Sequence, residues 1–562
     1  MTNTNKSFKN YVRSRTLAGK NMKRLLSNIS LITIVMIQFV NAQTPAIGWQ
    51  KTFGGSGDEY YGYILKLHDG NYLQYGNTAS DDGDFSSNQG RDDAYMIKTD
   101  ASGNVLWSKT YGGKKDDGFN QVVETANGNL VAAGYTESKS GDVSGNHGGR
   151  DGWLVMFNAD GNILSQHCYG GKGDDEFDGV VKGNPGGFIL CGIAGSTDGD
   201  LSGVAYHGGD GDGWVMTVNN KAQIVWQKCI GGSDFEQFTS IVTMENKIYV
   251  SGLTWSFDGD AAQNHSAPGS FDHFLTKFKL NGDVVWTACH GGSGDDYCFV
   301  QSLVATADGN LINVGTTLSN DGDVSGHSTN VADAWAPKIN SATGELISQR
   351  CYGSVTRMQG LYSAYADEDG GYLLLGADAS DFDVATSWDA MVIKTDADGN
   401  EVWKKTFGGS DMDMVDGLAE TDDGGYLLAC YARSGDGDVT NQHGGGDSWL
   451  VKLTDDGDRI ANQTASESLP ELRNYPNPFS TSTTISFSLS RAENISLKIF
   501  DVEGRLIRTL VNEPMSAGTH ELTWDSQNSP DGSGGNEVNS GIYFIELKTE
   551  WDLKVIKLSV IR

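Results

Sequence analysis

The phrase WQKTFGG at residues 49–55 decides the fold, because variants of it return six more times along the chain. The later copies begin at Trp107, Ser165, Trp226, Trp286, Ser348 and Trp403. The first glycine of the pair stands at positions 54, 112, 170, 231, 291, 353 and 408, so successive copies are 55 to 62 residues apart. A repeat of this length indicates one supersecondary unit, copied until neighbouring copies bury each other's apolar faces.

Each repeat contains four runs with the composition of β-strands. In the first repeat these are GYILKL (62–67), YLQYGNT (72–78), AYMIKTD (94–100) and VLWSKTY (105–111). The intervening turns HDGN and ASGN are typical of hairpins. Four antiparallel strands repeated seven times predict an all-β fold, a seven-bladed β-propeller over residues 43–464. The seventh copy ends weakly in RIANQT (459–464), so we expect the run at 49–53 to supply the outer strand of the last blade.

An aromatic residue follows an acidic one near the start of the third strand in most repeats. These positions hold Tyr95, Trp153, Trp214, Phe274, Trp335 and Trp449, with Met391 as the exception. Packing between blades is the interpretation that their regular spacing favours. Aromatic platforms for sugar rings are the alternative.

The formal net charge is −32, from 73 acidic and 41 basic residues. Such a surface repels phosphate backbones and anionic lipids, so nucleic acid is excluded as an expected partner. Cations and neutral or basic surfaces are compatible with it.

Much of this acidity lies in the long loop between the second and third strands of each repeat. A D-x-D pair opens the loop in six copies, and a further Asp precedes the third strand in all seven. The resulting candidate ligands are Asp82, Asp84, Asp93, Asp142, Asp151, Asp198, Asp200, Asp212, Asp258, Asp260, Asp272, Asp321, Asp323, Asp333, Asp381, Asp383, Asp389, Asp436, Asp438 and Asp447.

Phrases such as DGDLSG (198–203) and DGDVSG (321–326) are similar to the opening of a calcium loop. Ca²⁺ takes six to eight oxygen ligands in flexible geometry, so bound calcium is the cofactor that this pattern predicts. The alternative is that each carboxylate accepts backbone N–H bonds and builds an Asx-turn. The alternation of strands places all these loops on one face of the ring.

Histidines recur in the same loops, at His147, His207, His265, His327 and His443. Paired with aspartate, they suggest transition-metal ligands. One histidine per blade cannot build a compact site, so a hydrogen bond that orders the loop is the expected role.

No catalytic motif stands out: the chain lacks a G-x-S-x-G elbow, an H-E-x-x-H helix, a Walker loop and a C-x-x-C pair. The sixth copy departs most from the repeat, with Arg357 where other copies carry acids and a shortened loop. Arg357, Phe382 and Trp388 are therefore the candidate contacts for a ligand. Sequence drift without a role is the alternative.

The N-terminal residues 1–42 read as an export signal. We expect its true start at Met22, and a long polar n-region before the apolar stretch is the alternative. Lys23 and Arg24 precede a short apolar stretch that ends in small residues at Ala42. Polar residues interrupt the stretch, so we expect no lasting transmembrane segment.

The composition changes after a linker at residues 465–471. Residues 472–562 alternate apolar and polar residues in a way that predicts a small β-sandwich. YPNPF (475–479), IFDVEGRLI (499–507), SGIYFIEL (540–547) and the basic KVIKL resemble the type A sorting domain of the type IX secretion system. The resemblance rests on Pro476, Asn477, Pro478, Gly541 and Tyr543. It implies a Bacteroidetes-type bacterium, Sec export through the periplasm, the type IX machinery as partner, and release or attachment at the outer-membrane surface.

The GGSGDD (291–296) and GDVSGNHGG (141–149) phrases of the repeats resemble a family of bacterial surface propellers whose role is generally unassigned. We therefore expect a secreted or surface-attached monomer, a non-enzymatic adhesion module that binds a glycan or a protein. A glycoside hydrolase acting on polysaccharide at the propeller axis is the alternative, since such enzymes need only two suitably spaced carboxyl groups.

Overall fold

The computed structural model describes the chain from residue 44 to residue 561. The gaps in the described part are 86, 184–185, 328–330, 354–356, 368–369, 380–386, 455–471, 476, 478, 490–492, 503–504, 517, 526–537 and 549–552. The predicted signal segment 1–42 and the predicted linker 465–471 lie outside the described residues.

The first strand, β1 (Ile47–Phe53), is followed by a four-stranded antiparallel sheet in simple up-and-down order. This first sheet consists of β2 (Glu59–Lys66), β3 (Tyr72–Thr78), β4 (Asp93–Thr99) and β5 (Val105–Tyr111). Its opening hairpin turns at Asp69–Asn71, where the carboxylate of Asp69 accepts the Asn71 N–H at 3.0 Å. Gly70 takes a φ of +80°, which glycine adopts without steric cost. The Asp-Gly turn signal of the sequence thus acts as predicted.

The same order recurs along the chain. The second sheet comprises β6 (Asp117–Glu124), β7 (Leu130–Thr136), β8 (Asp151–Phe157) and β9 (Ile163–Tyr169); the third comprises β10 (Asp175–Lys182), β11 (Phe188–Ala194), β12 (Asp212–Val218) and β13 (Ile224–Ile230). The fourth comprises β14 (Glu236–Met244), β15 (Lys247–Thr254), β16 (Asp272–Lys279) and β17 (Val284–His290); the fifth comprises β18 (Asp296–Ala305), β19 (Leu311–Thr317), β20 (Asp333–Ile339) and β21 (Leu346–Cys351). The sixth comprises β22 (Gln359–Ala366), β23 (Tyr372–Ala379), β24 (Trp388–Thr395) and β25 (Glu401–Phe407). Short 3₁₀ turns at Gly83–Phe85, Gly199–Leu201 and Gly259–Ala261 lie in the long loops.

The last sheet of this series joins the two ends of the repeat region. It contains β26 (Asp413–Glu420), β27 (Tyr426–Ala432) and β28 (Asp447–Leu453), and β1 pairs with β28 as its fourth strand. The pairing is antiparallel and sets Trp49 opposite Lys452. The expectation that residues 49–53 complete the last sheet is confirmed.

The first strands of the sheets contact one another in sequence, and β26 of the seventh sheet returns to contact β2 of the first. They therefore surround a common axis, and the fourth strands lie outermost. This arrangement of repeated four-stranded antiparallel sheets is consistent with a propeller-like fold.

Aromatic side chains fill the spaces between adjacent sheets. Trp153, Trp214, Trp335 and Trp449 are fully buried, and so are Tyr95 and Phe274. The ring of Trp153 on β8 stacks 5.2 Å from that of Phe119 on β6, and its Nε1 donates to Gln166 Oε1 at 3.0 Å. The packing interpretation of these aromatics is therefore confirmed, because a fully buried ring cannot serve as a platform for a sugar.

The C-terminal part contains two further sheets. One is formed by β29 (Arg473–Tyr475), β30 (Ser482–Leu489) and β33 (Gly518–Asp525); the other by β31 (Glu493–Asp501), β32 (Leu506–Met515), β34 (Gly541–Lys548) and β35 (Leu553–Val560). These two C-terminal sheets share one apolar core. Strand β30 contributes Ile485 and Phe487 to it, β31 contributes Leu497, and β34 contributes Ile545. Within the described residues, no helix has the length and apolarity needed to cross a membrane.

Candidate functional site

The paired aspartates of the long loops bind the backbone of the glycine pair that follows the outermost strand. In the first sheet, Asp82 Oδ1 accepts the Ser56 N–H at 2.6 Å, and Asp84 Oδ2 accepts the Gly54 N–H at 3.1 Å. The same two bonds recur at Asp198 and Asp200, at Asp258 and Asp260, and at Asp436 and Asp438. This is the Asx-type role that the sequence left open beside calcium binding. Asp381 and Asp383 lie outside the described residues.

The third aspartate of each repeat lies where one sheet meets the next. Asp93 of β4 and Asp117 of β6 approach each other across Gly112: a Cβ on this glycine would lie 2.5 Å from Asp93 Oδ1 and 2.6 Å from Asp117 Oδ2. Only glycine leaves room for both oxygens. Similar approaches occur at Gly54, Gly291 and Gly408. A glycine is therefore needed at this recurring position, because any side chain there would collide with the two carboxyl groups at the junction between sheets.

Burial makes these junction carboxyls weak acids. It raises the pKa of Asp93 to about 7, with Asp117 and Asp142 pushing in the same direction. The pKa of Asp272 also rises to about 7 through burial beside Asp296 and Asp323. At neutral pH a proton therefore relieves part of the repulsion at these junctions.

The acidic loops offer a cation only those carboxylate oxygens that do not already accept a hydrogen bond. One oxygen each of Asp93, Asp151, Asp212, Asp272 and Asp447 is buried without a hydrogen-bond partner, and a ligand could use it. The paired loop aspartates, however, point at backbone amides. Within the described residues, no group of three or more His, Cys, Asp or Glu side chains could hold a metal ion. Calcium binding stays a prediction.

The loop histidines connect neighbouring sheets. His147 Nδ1 lies 2.6 Å from Asp151 Oδ2 of its own repeat, and Nε2 lies 3.9 Å from Asp200 Oδ2 of the next. His207 repeats this with Asp212 and Asp260, at 2.6 and 4.0 Å. The first copy has Gln89 instead, whose Nε2 donates to Asp142 Oδ2 at 3.1 Å. The expected loop-ordering hydrogen bond is thus present.

The candidate ligand contacts of the sixth copy stay a prediction. Arg357 is exposed, and its Nη1 lies 3.6 Å from Asp378 Oδ1. Trp388 is half-buried at the start of β24, opposite Ala379. Phe382 lies outside the described residues. Neither Arg357 nor Trp388 lines the central cavity described below.

The sorting residues tie the PNPF segment to the last strand. Asn477 Nδ2 donates to the Lys557 carbonyl at 3.0 Å, and its Oδ1 accepts the Ser559 N–H at 2.8 Å. Tyr543 is buried, with its hydroxyl donating to the Asn539 carbonyl at 2.9 Å. Gly541 is exposed at the start of β34. Pro476 and Pro478 lie outside the described residues.

A cavity of about 910 Å³ lies where the first strands meet at the axis. Its walls combine aromatic rings with hydrogen-bonding groups, as small-molecule sites commonly do. Its aromatic side chains are Tyr60, Tyr63, Tyr135, Tyr297, Phe299, Tyr362 and Tyr431. Arg150, Met412 and Arg433 adjoin the ends of strands from which the acidic loops leave, so the mouth opens on the acidic face.

Two positions of each first strand supply much of this wall, and the sequence reasoning missed them. They stand one and three residues after the junction residue that opens the strand (Glu59, Asp117, Asp175, Glu236, Asp296, Gln359 and Asp413). The first position holds Tyr60, Gly118, Glu176, Gln237, Tyr297, Gly360 and Met414; the other holds Gly62, Asn120, Asp178, Thr239, Phe299, Tyr362 and Asp416. Strand alternation turns both toward the axis. The residue types at both positions differ widely among the seven copies, and alignment of the copies would have revealed this variation.

A carboxyl pair projects from β10 into the cavity. Asp178 is buried, and its Oδ2 accepts from Gln237 Nε2 at 2.7 Å. Asn120 Nδ2 lies 3.2 Å from Glu176 Oε1 and 3.3 Å from Asp178 Oδ1. Arg150 Nη1 contacts Glu176 Oε2 at 2.7 Å. Burial, followed by the proximity of Glu176, raises the pKa of Asp178 well above its usual range. The pair therefore offers both a proton donor and an acceptor to a bound ligand.

Asp416 of β26 is the third carboxyl group of the cavity wall. Burial raises its pKa to about 6, while a 3.2 Å hydrogen bond from the Gly62 N–H acts in the opposite direction. It comes from the seventh sheet, whereas Glu176 and Asp178 come from the third. Acids thus face the axis from separate sides.

Residues 473–562 match the family described as the secretion system C-terminal sorting domain. The resemblance of this segment is confirmed, and the tail indicates export to the cell surface or the extracellular space. No curated protein sequence matches the chain.

Solved structures resemble the chain only distantly. A protein of unknown function from Dyadobacter fermentans is 11% identical, with 73% of this chain and 98% of that chain covered and a TM-score of 0.35. An α-L-arabinofuranosidase from Fusarium graminearum is 9% identical, with 74% and 100% covered and a TM-score of 0.35. A mannose phosphorylase from Leishmania mexicana is 10% identical, with 50% and 83% covered and a TM-score of 0.28. TM-scores this low support no inference about function.

Proposed function

We propose that this protein is a secreted seven-bladed β-propeller that binds a carbohydrate in its central cavity. The observation that carries the proposal is the cavity wall, where Tyr297, Phe299 and Tyr362 stand beside the polar groups of Gln237 and Glu176. Aromatic faces can cover the apolar face of a sugar ring, while amide and carboxyl groups exchange hydrogen bonds with its hydroxyls. The wall is built at positions where the repeat pattern is broken, as a specific site requires.

A glycan array probed with the secreted protein tests this proposal. Tyr297→Ala removes a ring from the wall and is expected to weaken binding of any positive glycan by about tenfold. Phe257→Ala is the matched control, because Phe257 is 45% exposed and lies outside the cavity wall. Equal loss in both variants, or no binding to any glycan, would contradict the proposal.

A glycoside hydrolase is the second candidate, favoured by the carboxyl groups of the cavity. Glycosidases hold two carboxyl groups roughly 5–10 Å apart, with the sugar between them. Glu176 and Asp178 instead project from one strand and contact the same nitrogen, Asn120 Nδ2, at 3.2 and 3.3 Å. Asn120 thus occupies the space between them, so hydrolysis would pair one of them with Asp416. Binding is therefore preferred. Release of reducing sugar that disappears in Glu176→Gln but persists in Glu401→Gln, an exposed glutamate on β25, would favour the enzyme instead.

The sorting tail gives the route of export in finer detail. We propose passage through the Sec and type IX systems, with residues 472–562 as a sandwich-like sorting domain recognised by the type IX machinery of a Bacteroidetes-type cell. The adhesion propeller, residues 43–464, then reaches the surface as a monomer. Removal of residues 472–562 should leave the protein in the periplasm, as measured by fractionation. Normal secretion of the truncated chain would contradict this route.

Calcium bound at the acidic loops is a further proposal, motivated by the unpartnered buried oxygens of Asp93 and its counterparts. A ligand that binds only the folded state raises its stability. EDTA is therefore expected to lower the melting temperature, and added Ca²⁺ to restore it. An unchanged melting curve in chelator would exclude structural calcium.

A further inference from the structure

The fifth sheet carries an insertion that the other first strands lack. Between Cys298 and Leu303 of β18 stand four residues, 299–302, and only Val314 stands opposite them on β19, so three residues are extra. The corresponding irregularity in β10 has a single extra residue, Asp178, between Phe177 and Gly179. The sequence records the same event, because the stretch from the glycine pair to the Gly-Asn turn spans 20 residues in this copy (291–310) and 18 in the second copy (112–129). The wide bulge is therefore an addition to the repeat.

The bulge reaches across the axis. The side chain of Val300 packs against the apolar cluster of the first and second sheets, which includes Tyr63 and Tyr75. Gln301 Nε2 donates to the Tyr75 hydroxyl at 3.2 Å, and the Tyr365 hydroxyl of the sixth sheet donates to Gln301 Oε1 at 3.1 Å. One side chain thus links the fifth, sixth and first sheets. Its contacts fix the bulge over the axis.

Gln301 adopts a φ of +63°, a conformation that side-chain-bearing residues avoid. Such backbone conformations persist where the surrounding structure holds them, often at functional sites. Of the two tyrosines that hold Gln301, Tyr75 is buried and Tyr365 is half-buried. Their side chains and that of Gln301 together occupy the axis beneath the bulge.

The opposite side of the bulge faces the cavity. Phe299 and Val300 line it, and the Phe299 ring meets that of Tyr362 edge-to-face, with centroids 5.1 Å apart. Phe299 remains 38% exposed, which leaves surface available to a ligand. The bulge thus presents an aromatic surface at the bottom of the cavity.

We propose that residues 299–302 form the floor of the central cavity, so that the cavity accepts the end of a carbohydrate chain and excludes the passage of an internal segment. This inference rests on the proposed carbohydrate binding. A chain that cannot run through the axis must enter from the acidic face and stop at Phe299. The ligand is therefore the terminal sugar of a chain. Phe299 and Tyr362 contact it at the floor of the cavity, and Gln237 and the carboxyl pair hydrogen-bond to it from the wall.

Calorimetric titration of the full chain tests the inference through stoichiometry. The probes are short and long fractions of the same linear polymer, taken from β-glucan, mannan, xylan and arabinan. End recognition predicts a fixed number of protein molecules per chain end, whatever the chain length. Several molecules bound along each long chain would overturn end recognition while leaving the proposed function intact. No binding to any fraction would overturn both.

Two variants locate the effect. Deletion of Val300 and Gln301 leaves one extra residue, as in the other sheets, and is expected to let several molecules bind each long chain. Continued end-limited binding in a folded deletion variant would contradict the role of the bulge. If the deletion prevents folding, Phe299→Ala decides: it should weaken end binding about tenfold, equivalent to about 1.4 kcal/mol, while Phe257→Ala should not. Equal affinities of both variants would refute the floor.

Discussion

The carboxyl group of Glu59 provides a direct test of the junctions between sheets. It lies between the seventh and first sheets and is 1% exposed. Thr78 Oγ1 donates to its Oε1 at 2.7 Å, and the Gly55 N–H donates to its Oε2 at 3.3 Å. Burial raises its pKa from 4.5 to about 7, with Asp447 acting in the same direction. The folded protein therefore holds a proton that the unfolded chain releases.

Because the pKa of Glu59 is higher in the folded protein than in the unfolded chain, the protein becomes less stable as the pH rises. The stabilising contribution is fully present below the unfolded pKa near 4.5 and is lost as the pH passes through about 7. A shift of about 2.5 pKa units corresponds to roughly 3 kcal/mol, most of which is lost between about pH 5 and pH 8. Asp93 and Asp272, with pKa values raised to about 7, change stability in the same direction.

The variant Glu59→Gln copies the sixth sheet, where Gln359 occupies this position and is 3% exposed. A neutral amide has no proton to lose, so the variant should lose roughly 2–3 kcal/mol less stability than the wild type between about pH 5 and pH 8. Thermal and urea unfolding of the full chain at both pH values, with EDTA present, measure this. The exposed Glu401→Gln should match the wild type. A wild type equally stable at both pH values, or a variant with unchanged pH dependence, would refute the reasoning.

Two further predictions concern packing. Gly112→Ala places a Cβ within 2.6 Å of two carboxylate oxygens and should destabilise the protein by about 1–3 kcal/mol. Gly435→Ala is the control, because Gly435 lies in open space and its substitution should leave the urea midpoint unchanged. Equal urea midpoints for the two variants would contradict the close approach. Asn477→Ala removes both hydrogen bonds to β35. It should destabilise the C-terminal sheets by about 1–2 kcal/mol and lower secretion, whereas Asn494→Ala, at an exposed position on β31, is the control. Equal stability and secretion of the two variants would exclude a role of Asn477 in anchoring its segment to β35.

Much of the fold follows from the sequence because the repeat states it seven times. The glycine pairs predict the four-stranded units, and the surplus run at 49–53 predicts the pairing of β1 with β28. The sequence also predicts that the acidic loops share one face of the ring. Each of them joins the second strand of a sheet to the third, and those strands run in the same directions in every sheet. The partners of these loops could not be predicted, because the Gly54 N–H that Asp84 binds lies 30 residues away.

The cavity was missed for a different reason. Arg357 and Trp388 attract attention because they break the pattern in a loop and at the strand end beside a loop, where insertions and drift are tolerated. Glu176 and Gln237 stand inside strands whose hydrophobic periodicity is intact, so they look like ordinary variation. Only the ring brings those strands together at one axis. The information lay in comparing equivalent strand positions between copies.

Neighbouring residues on one first strand therefore carry separate roles. Asp296 of β18 lies at the junction between sheets, where burial raises its pKa to about 6, whereas Tyr297 faces the cavity. The alternation of side chains along a strand separates the two environments within a single residue step. The junction position holds a buried acid or its amide in every sheet, while the cavity position varies. A ring of equivalent sheets can thus keep its joints constant and build one asymmetric binding site at its axis.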